Sequence, residues 1–110
     1  MASAAKNPVK LLYVTCKDLE QARSIGRDLI SERLAACVNI LPGMESHYRW
    51  DGMIETATES VMIVKTTATL ALKCSERVKS IHSYETPCVL ELDVTGGNEN
   101  YISWLRDQVL

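Results

Sequence analysis

Two polar groups in this chain have residue types and positions that suit metal chemistry. Cys16 closes the apolar run Val9 to Cys16 and stands two residues before Asp18. A thiol beside the first N–H groups of a helix has its thiolate favoured, which lowers its pKa and suits a soft ion such as Cu(I). The plainer alternative is a cysteine buried at a strand end. His82 opens the sequence His82-Ser83-Tyr84-Glu85 where a helical pattern stops. There an imidazole is stabilised as a cation by the terminal carbonyls, or simply satisfies them. Together one sulfur and one imidazole favour copper over Mg²⁺ or Ca²⁺, which prefer oxygen, and two donors alone make a weak, labile site.

Other side chains are less pointed. Lys65 ends the apolar stretch Val61-Met62-Ile63-Val64, whose alternation buries it unless a carboxylate such as Glu59, Glu85 or Glu91 answers it. Tyr48, Trp50 and Trp104 are large aromatics that fit either a pocket lining or a subunit contact. His47, beside Arg49, reads as part of a solvated strand face. The cysteines at 16, 37, 74 and 88 show no CxxC or CxH spacing, which argues against structural zinc. Each lies in an apolar segment, and Met1 to Pro8 carries no hydrophobic signal core. Free thiols in a reducing, cytoplasmic compartment are therefore expected.

The elements that must position these groups follow from periodicity. Val9, Leu11 and Tyr13 share one face of a first strand and Leu12, Val14 and Cys16 the other, so both faces are covered. Asp18 with Gln21 gives a capping-box start to a helix carrying Leu19, Ala22, Ile25, Leu29 and Ile30 toward Leu34. The run from Arg33 to Leu41 passes into a second strand with no turn residue between them. Pro42-Gly43 then kinks the strand without ending it, and Met44, Ser46, Tyr48 and Trp50 continue one face. Asp51-Gly52 is a hairpin signal, because a type I′ turn needs positive φ at both central residues. The returning strand runs to Lys65, and Thr66 or Thr67 can cap a second helix with Leu70, Cys74, Val78 and Ile81 on one side. Cys88, Leu90, Leu92 and Val94 are expected as the inward face of a fourth strand. A short helix from about Glu99 carries Ile102 and Leu105, with Tyr101 and Trp104 free to dock.

The order β-α-β-β-α-β plus a C-terminal helix predicts an α+β, ferredoxin-like sandwich. Residues 1–8 read as a flexible N-terminal tail and 9–110 as a single domain. Helices on one side of the sheet leave strands 1 and 3 with a second apolar face, and a partner subunit is the expected cover. With 12 Lys+Arg against 14 Asp+Glu and a net charge of -2, the chain lacks the basic surface that nucleic acid requires. An RNA-recognition domain of the same strand order would also need stacking aromatics, and this chain has no phenylalanine. No apolar run approaches the roughly 20 residues of a membrane span, so no membrane insertion is expected. Phosphate-transfer chemistry would want an arginine and glycine loop after the first strand. Cys16-Lys17-Asp18-Leu19-Glu20 has neither and carries two acids.

The segments Arg33–Gly43, Ser46–Gly52, Ile63–Thr66, His82–Pro87 and Tyr101–Leu105 resemble, in order and spacing, the CutA1 family of divalent-cation-tolerance proteins. The resemblance runs from about Leu11 to the last residue. It implies a homotrimer, with three sheets gathered about a threefold axis and long hairpins reaching across to neighbours. It also implies a copper-related role for the position of Cys16, with divalent-cation tolerance and metal response as the function and no turnover. Residues matching Cys37, Lys65, Tyr84 and Glu85 would gather at a cleft between subunits, where Trp50 and Trp104 add aromatic lining and a small anionic or amphipathic ligand could sit. Ser83 replaces the family's usual proline, and Ile81 stands where some relatives carry a second histidine, which leaves one histidine beside Cys16. The alternative is a signalling or scaffold trimer like the PII nitrogen-regulatory proteins, binding a small ligand or a protein partner at the cleft.

Overall fold

The computed structural model describes residues 7–110. Seven elements follow in order: β1 Val9–Cys16, α1 Leu19–Ser31, β2 Cys37–Trp50, β3 Met53–Thr67, α2 Ala68–Ile81, β4 Val89–Asp93 and α3 Glu99–Gln108. The strands form one antiparallel sheet ordered β2-β3-β1-β4. This is the ferredoxin-like α+β arrangement with a C-terminal helix. The β2–β3 hairpin projects beyond the sandwich and stretches the chain to 52 × 25 × 22 Å.

Directly opposed residues in an antiparallel ladder share a face, so the register sorts the sheet into two sides. Leu12, Val14 and Cys16 lie opposite Val64, Met62 and Ser60, and this side packs on α1 and α2 through Ala22, Ile25, Leu29, Cys74 and Val78. The other side carries Leu11 and Tyr13 opposite Lys65 and Ile63 on β3, and opposite Leu92 and Leu90 on β4. α3 covers one end of that side, where Ile102 and Leu105 bury against Val9. Beyond α3 the face is open: Leu41, Leu90 and Leu92 are 54%, 57% and 48% exposed. The inward face expected for β4 is therefore reversed. Val89 meets the helix-side core, while Leu90 and Leu92 point to the second face, because the register sets them opposite Tyr13 and Leu11; Glu91 and Asp93 fall on the helix side, within 3.7 and 2.6 Å of Lys10.

Local punctuation explains the boundaries. Asp18 Oδ1 accepts from the Gln21 N–H, and Gln21 Oε1 accepts from the Lys17 N–H, a box displaced by one residue at its second bond. α1 ends in a left-handed residue, Arg33, at φ 59°. The Leu34 and Arg33 N–H groups return to Leu29 O and Ile30 O, the two bonds of a Schellman cap. A turn thus separates α1 from β2, written with arginine where glycine usually stands. Gly43, at φ 72°, falls inside the register shift between Leu41 and Met44, the bulge expected at Pro42-Gly43. Asp51 and Gly52 take φ of 49° and 77°, as a type I′ hairpin requires.

Thr67 occupies the N-cap of α2, yet its hydroxyl makes no cap bond. The first-turn donors are met instead by the chain before β1: Thr69 N–H donates to Asn7 Oδ1 and Ala68 N–H to Pro8 O. Arg106 Nε also donates to Asn7 O. Of the expected flexible tail, residues 1–6 lie outside the described residues, and Asn7 and Pro8 are held by these bonds. Among the described residues no helix is long and apolar enough to cross a membrane.

Candidate functional site

His82 follows the last residue of α2, and its ring turns back to β1. Its Nε2–H donates to Thr15 O at 2.8 Å, and its Nδ1 accepts the Tyr84 N–H at 3.1 Å. Both ring nitrogens are thereby engaged, in the neutral tautomer protonated at Nε2. A metal ion at His82 has to displace one of these bonds. Cys16 adjoins Thr15 but projects into the helix-side core, where it is fully buried. Burial, with the charges of Glu59 and then Asp18 added, pushes its thiol up to about 11. The lowered thiol pKa expected from the nearby helix start is thus reversed: desolvation outweighs the few N–H dipoles of α1. Among the described residues no group of three or more His, Cys, Asp or Glu is arranged to hold a metal ion.

Between the hairpin and the loop after α2 lies a half-open cavity of about 490 Å³, lined by Thr15, the hairpin residues Tyr48, Trp50, Glu55 and Glu59, and the loop residues Tyr84 to Thr86 with Cys88. The hairpin forms one wall because its ladder continues past the bulge, placing Tyr48 opposite Glu55. The α2–β4 loop forms the other, and the His82 and Tyr84 rings meet at a tilt of 50°, centroids 4.9 Å apart. Glu59 ties the walls together: Ser46 Oγ donates to its Oε1 at 2.6 Å and Tyr84 Oη to its Oε2 at 2.8 Å. Burial and that carboxylate push the Tyr84 phenol up to about 12.

Three expected cleft residues, Trp50, Tyr84 and Glu85, meet in this cavity. Cys37, Lys65 and Trp104 do not. Cys37 pairs with Lys65 at the far end of the sheet, six residues along β3 from Glu59, or about 20 Å at the rise of a strand. There Lys65 Nζ lies 5.3 Å from the Tyr101 ring centroid and donates to its hydroxyl at 3.1 Å, and Tyr101 stacks on Trp104 at 5.5 Å. The expected carboxylate partner for Lys65 is corrected to a tyrosine. Glu59 is too far along the strand, Glu85 belongs to the cavity, and Glu91 faces the helix side. Lys65 is half-buried and not enclosed, so the aromatic hydroxyl and ring suffice.

Sequence reasoning passed over Glu55 and the bridging role of Glu59. Both acids sit in the polar half of β3, among Thr56, Thr58 and Ser60, where nothing local singles them out; their positions across from Tyr48 and Met44 follow only once the bulge fixes the register.

Residues 10–108 match the family model described as CutA1 divalent ion tolerance protein. The chloroplastic Protein CutA 1 of Oryza sativa is 42% identical over 91% of this chain and 56% of its own length. The divalent-cation tolerance protein CutA of Thermus thermophilus is 43% identical over 89% of this chain and 95% of its own. Against the plant relatives the chain spans little more than half of their length, 56% and 55%. The solved CutA1 structure from Oryza sativa superposes with a TM-score of 0.92 at 40% identity, covering 94% of this chain and 95% of that one. The Thermus thermophilus structure gives 0.89 at 42% identity, with 92% and 98% covered. With the match running through every strand and helix of the fold, the chain belongs to the CutA1 family of divalent ion tolerance proteins.

Proposed function

We propose that this protein is a homotrimer that serves divalent-cation tolerance and metal response, binding copper weakly and catalysing no reaction. The observation that carries the reading is the family match over residues 10–108, whose relatives are named for tolerance of divalent cations. The open apolar face of Leu41, Leu90 and Leu92 supports the assembly, since a contiguous apolar sheet face calls for a partner surface. A second copy of the chain supplies an identical face, and the projecting hairpin supplies the arm that reaches it.

Weak metal binding follows from the donor set. A thiol held at about 11 and an imidazole with both nitrogens engaged yield copper affinity only after a proton is released and a hydrogen bond is broken. A binding role without turnover also fits the cavity, whose Tyr84 phenol, held at about 12, is a poor proton donor near neutral pH. Four free cysteines suit a reducing, cytoplasmic setting. The test is copper titration, with thiols kept reduced, of the wild type against Cys16→Ser and His82→Ala. Loss of affinity in both variants supports the site; unchanged stoichiometry and affinity in both removes these residues from any metal role.

The PII-like alternative draws on a separate observation. Each chain holds a formed cavity at Trp50, Tyr84 and Glu85, while Cys37, Lys65 and Trp104 cluster about 20 Å away along the sheet, so a ligand bridging the two groups needs two subunits. Ligand-dependent capture of a protein partner would favour that reading over metal response.

A further inference from the structure

The helix side of the sheet, opposite the face of Leu41, Leu90 and Leu92, holds a separate concave surface. α1 packs on β2 at Gly26, where a Cβ would come within 3.2 Å of Val38 Cγ1. The missing side chain lets the helix lie close on the strand. Beside that contact runs an open groove of about 660 Å³, between α1 and the outer strand of the sheet. Val38 and Ile40, opposite the fully buried Val64 and Met62, give it an apolar floor, and Ile30, 41% exposed, adds to the apolar surface. Arg23 and Arg27 line the helix wall.

The two arginines stand four residues apart, which puts them on one helix face with Cβ atoms about 6 Å apart, a spacing at which like charges repel. Among the described residues neither forms an ion pair, and residues 1–6 contain no acid to answer them. Asp28 also borders the groove, half-buried, and part of its charge acts on Arg77 of α2. Two guanidinium groups against one carboxylate leave the groove positive above its apolar floor. A bare inorganic anion answers only half of this lining, and exposed ion pairs alone are weak. An anion with an aliphatic body answers both halves, since it also takes apolar surface out of water. A carboxylate head matches the planar fork of a guanidinium.

We propose that this groove binds an aliphatic carboxylate, its head at Arg23 and Arg27 and its alkyl chain on Val38, Ile40 and Ile30. The site lies on the side of the sheet away from the face on which the proposed trimer closes, and it uses neither the cavity at Tyr84 nor copper. It goes beyond the metal-response reading, and the copper titration can succeed or fail independently of it.

The probe is sodium hexanoate, added to the full-length protein in its native assembly at constant ionic strength and followed by ¹H–¹⁵N NMR. Sodium acetate, which lacks the chain, and n-hexanol, which lacks the charge, are run in parallel. Saturable shifts are expected at the Gly26, Arg27, Val38 and Ile40 amides with hexanoate, and far weaker ones with acetate or hexanol. Octanoate should bind several-fold more tightly than hexanoate, because two further methylenes meet the floor. Arg23→Gln and Arg27→Gln, both at exposed positions, should each weaken hexanoate binding by roughly fivefold. Arg49→Gln, on the hairpin, removes the same net charge and should leave it unchanged. Absence of saturable shifts, as when a neighbouring copy fills the groove, would overturn the proposal. So would equal binding of acetate or hexanol, full affinity in both Arg23→Gln and Arg27→Gln, or an equal loss in Arg49→Gln.

Discussion

Two adjacent threonines at the end of β3 should respond in opposite directions to the same substitution. Thr66 and Thr67 are both fully buried. Thr66 Oγ1 donates to Leu34 O at 2.6 Å, closing the loop after α1 onto the sheet. Thr67 Oγ1 is buried with no hydrogen-bond partner, and it does not cap α2. Valine matches threonine in shape but lacks the hydroxyl. Thr66→Val strands the Leu34 carbonyl, at a cost of about 1–3 kcal/mol, the penalty for a buried polar group left unpaired. Thr67→Val removes such a group and sacrifices no cap, so it should stabilise by roughly 1 kcal/mol. Urea midpoints of the two variants and the wild type, measured at one protomer concentration because assembly couples to folding, give the comparison. Destabilisation by Thr67→Val as large as that by Thr66→Val would refute the assignment of Thr67 as an unpaired group.

At Arg33 two effects separate: Arg33→Ala keeps the left-handed φ of 59° and loses the bonds from Nε to Gln108 O and Nη2 to Asp107 O, while Arg33→Gly loses the bonds but relieves the strain. The alanine variant should therefore unfold about 1 kcal/mol more easily than the glycine variant in thermal melts. Burial holds the Cys16 and Cys74 thiols at about 11 and about 12, above their ordinary 9.0, so the folded state keeps its protons after the unfolded chain has lost them. Stability should be complete below about pH 9 and fall as pH rises toward 11; urea midpoints that stay level from pH 7 to 10.5 would contradict this. If copper binds the Cys16 thiolate, its affinity should rise about tenfold per pH unit between pH 7 and 9, as competition titrations would show.

The fold was legible because its strongest signals are local. The double apolar alternation of β1, Asp18 with Gln21, the Pro42-Gly43 kink and the Asp51-Gly52 turn each act within a few residues, and each appears where expected. The differences arise where distant residues decide. The cap of α2 comes from Asn7, about sixty residues earlier in the chain, and no local pattern announces it. The facing of β4 depends on its register with β1, which sets Leu90 and Leu92 opposite Tyr13 and Leu11 on the second face, and the alternation alone does not say which face of the sheet the helices cover. Arg33 shows a local exception, since the turn it makes is ordinarily written with glycine. At the site, Cys16 shows how adjacency in sequence misleads: being near a helix start matters less than being sealed in the core. The cavity was half visible, its aromatic residues read as a lining, but the meeting of Glu59 with Tyr84 depends on the bulged register and could not be counted from spacing.

The central claim is that the second face of this sheet is closed by two further copies of the same chain. Multi-angle light scattering of the purified protein at micromolar concentration measures that directly. The account predicts a particle of three 12.3 kDa chains, with Leu90→Lys and Leu92→Lys each shifting the mass downward. A monomer of 12.3 kDa would show that the exposed leucines need no partner and would contradict the account; a dimer would keep the burial argument and contradict the threefold assembly.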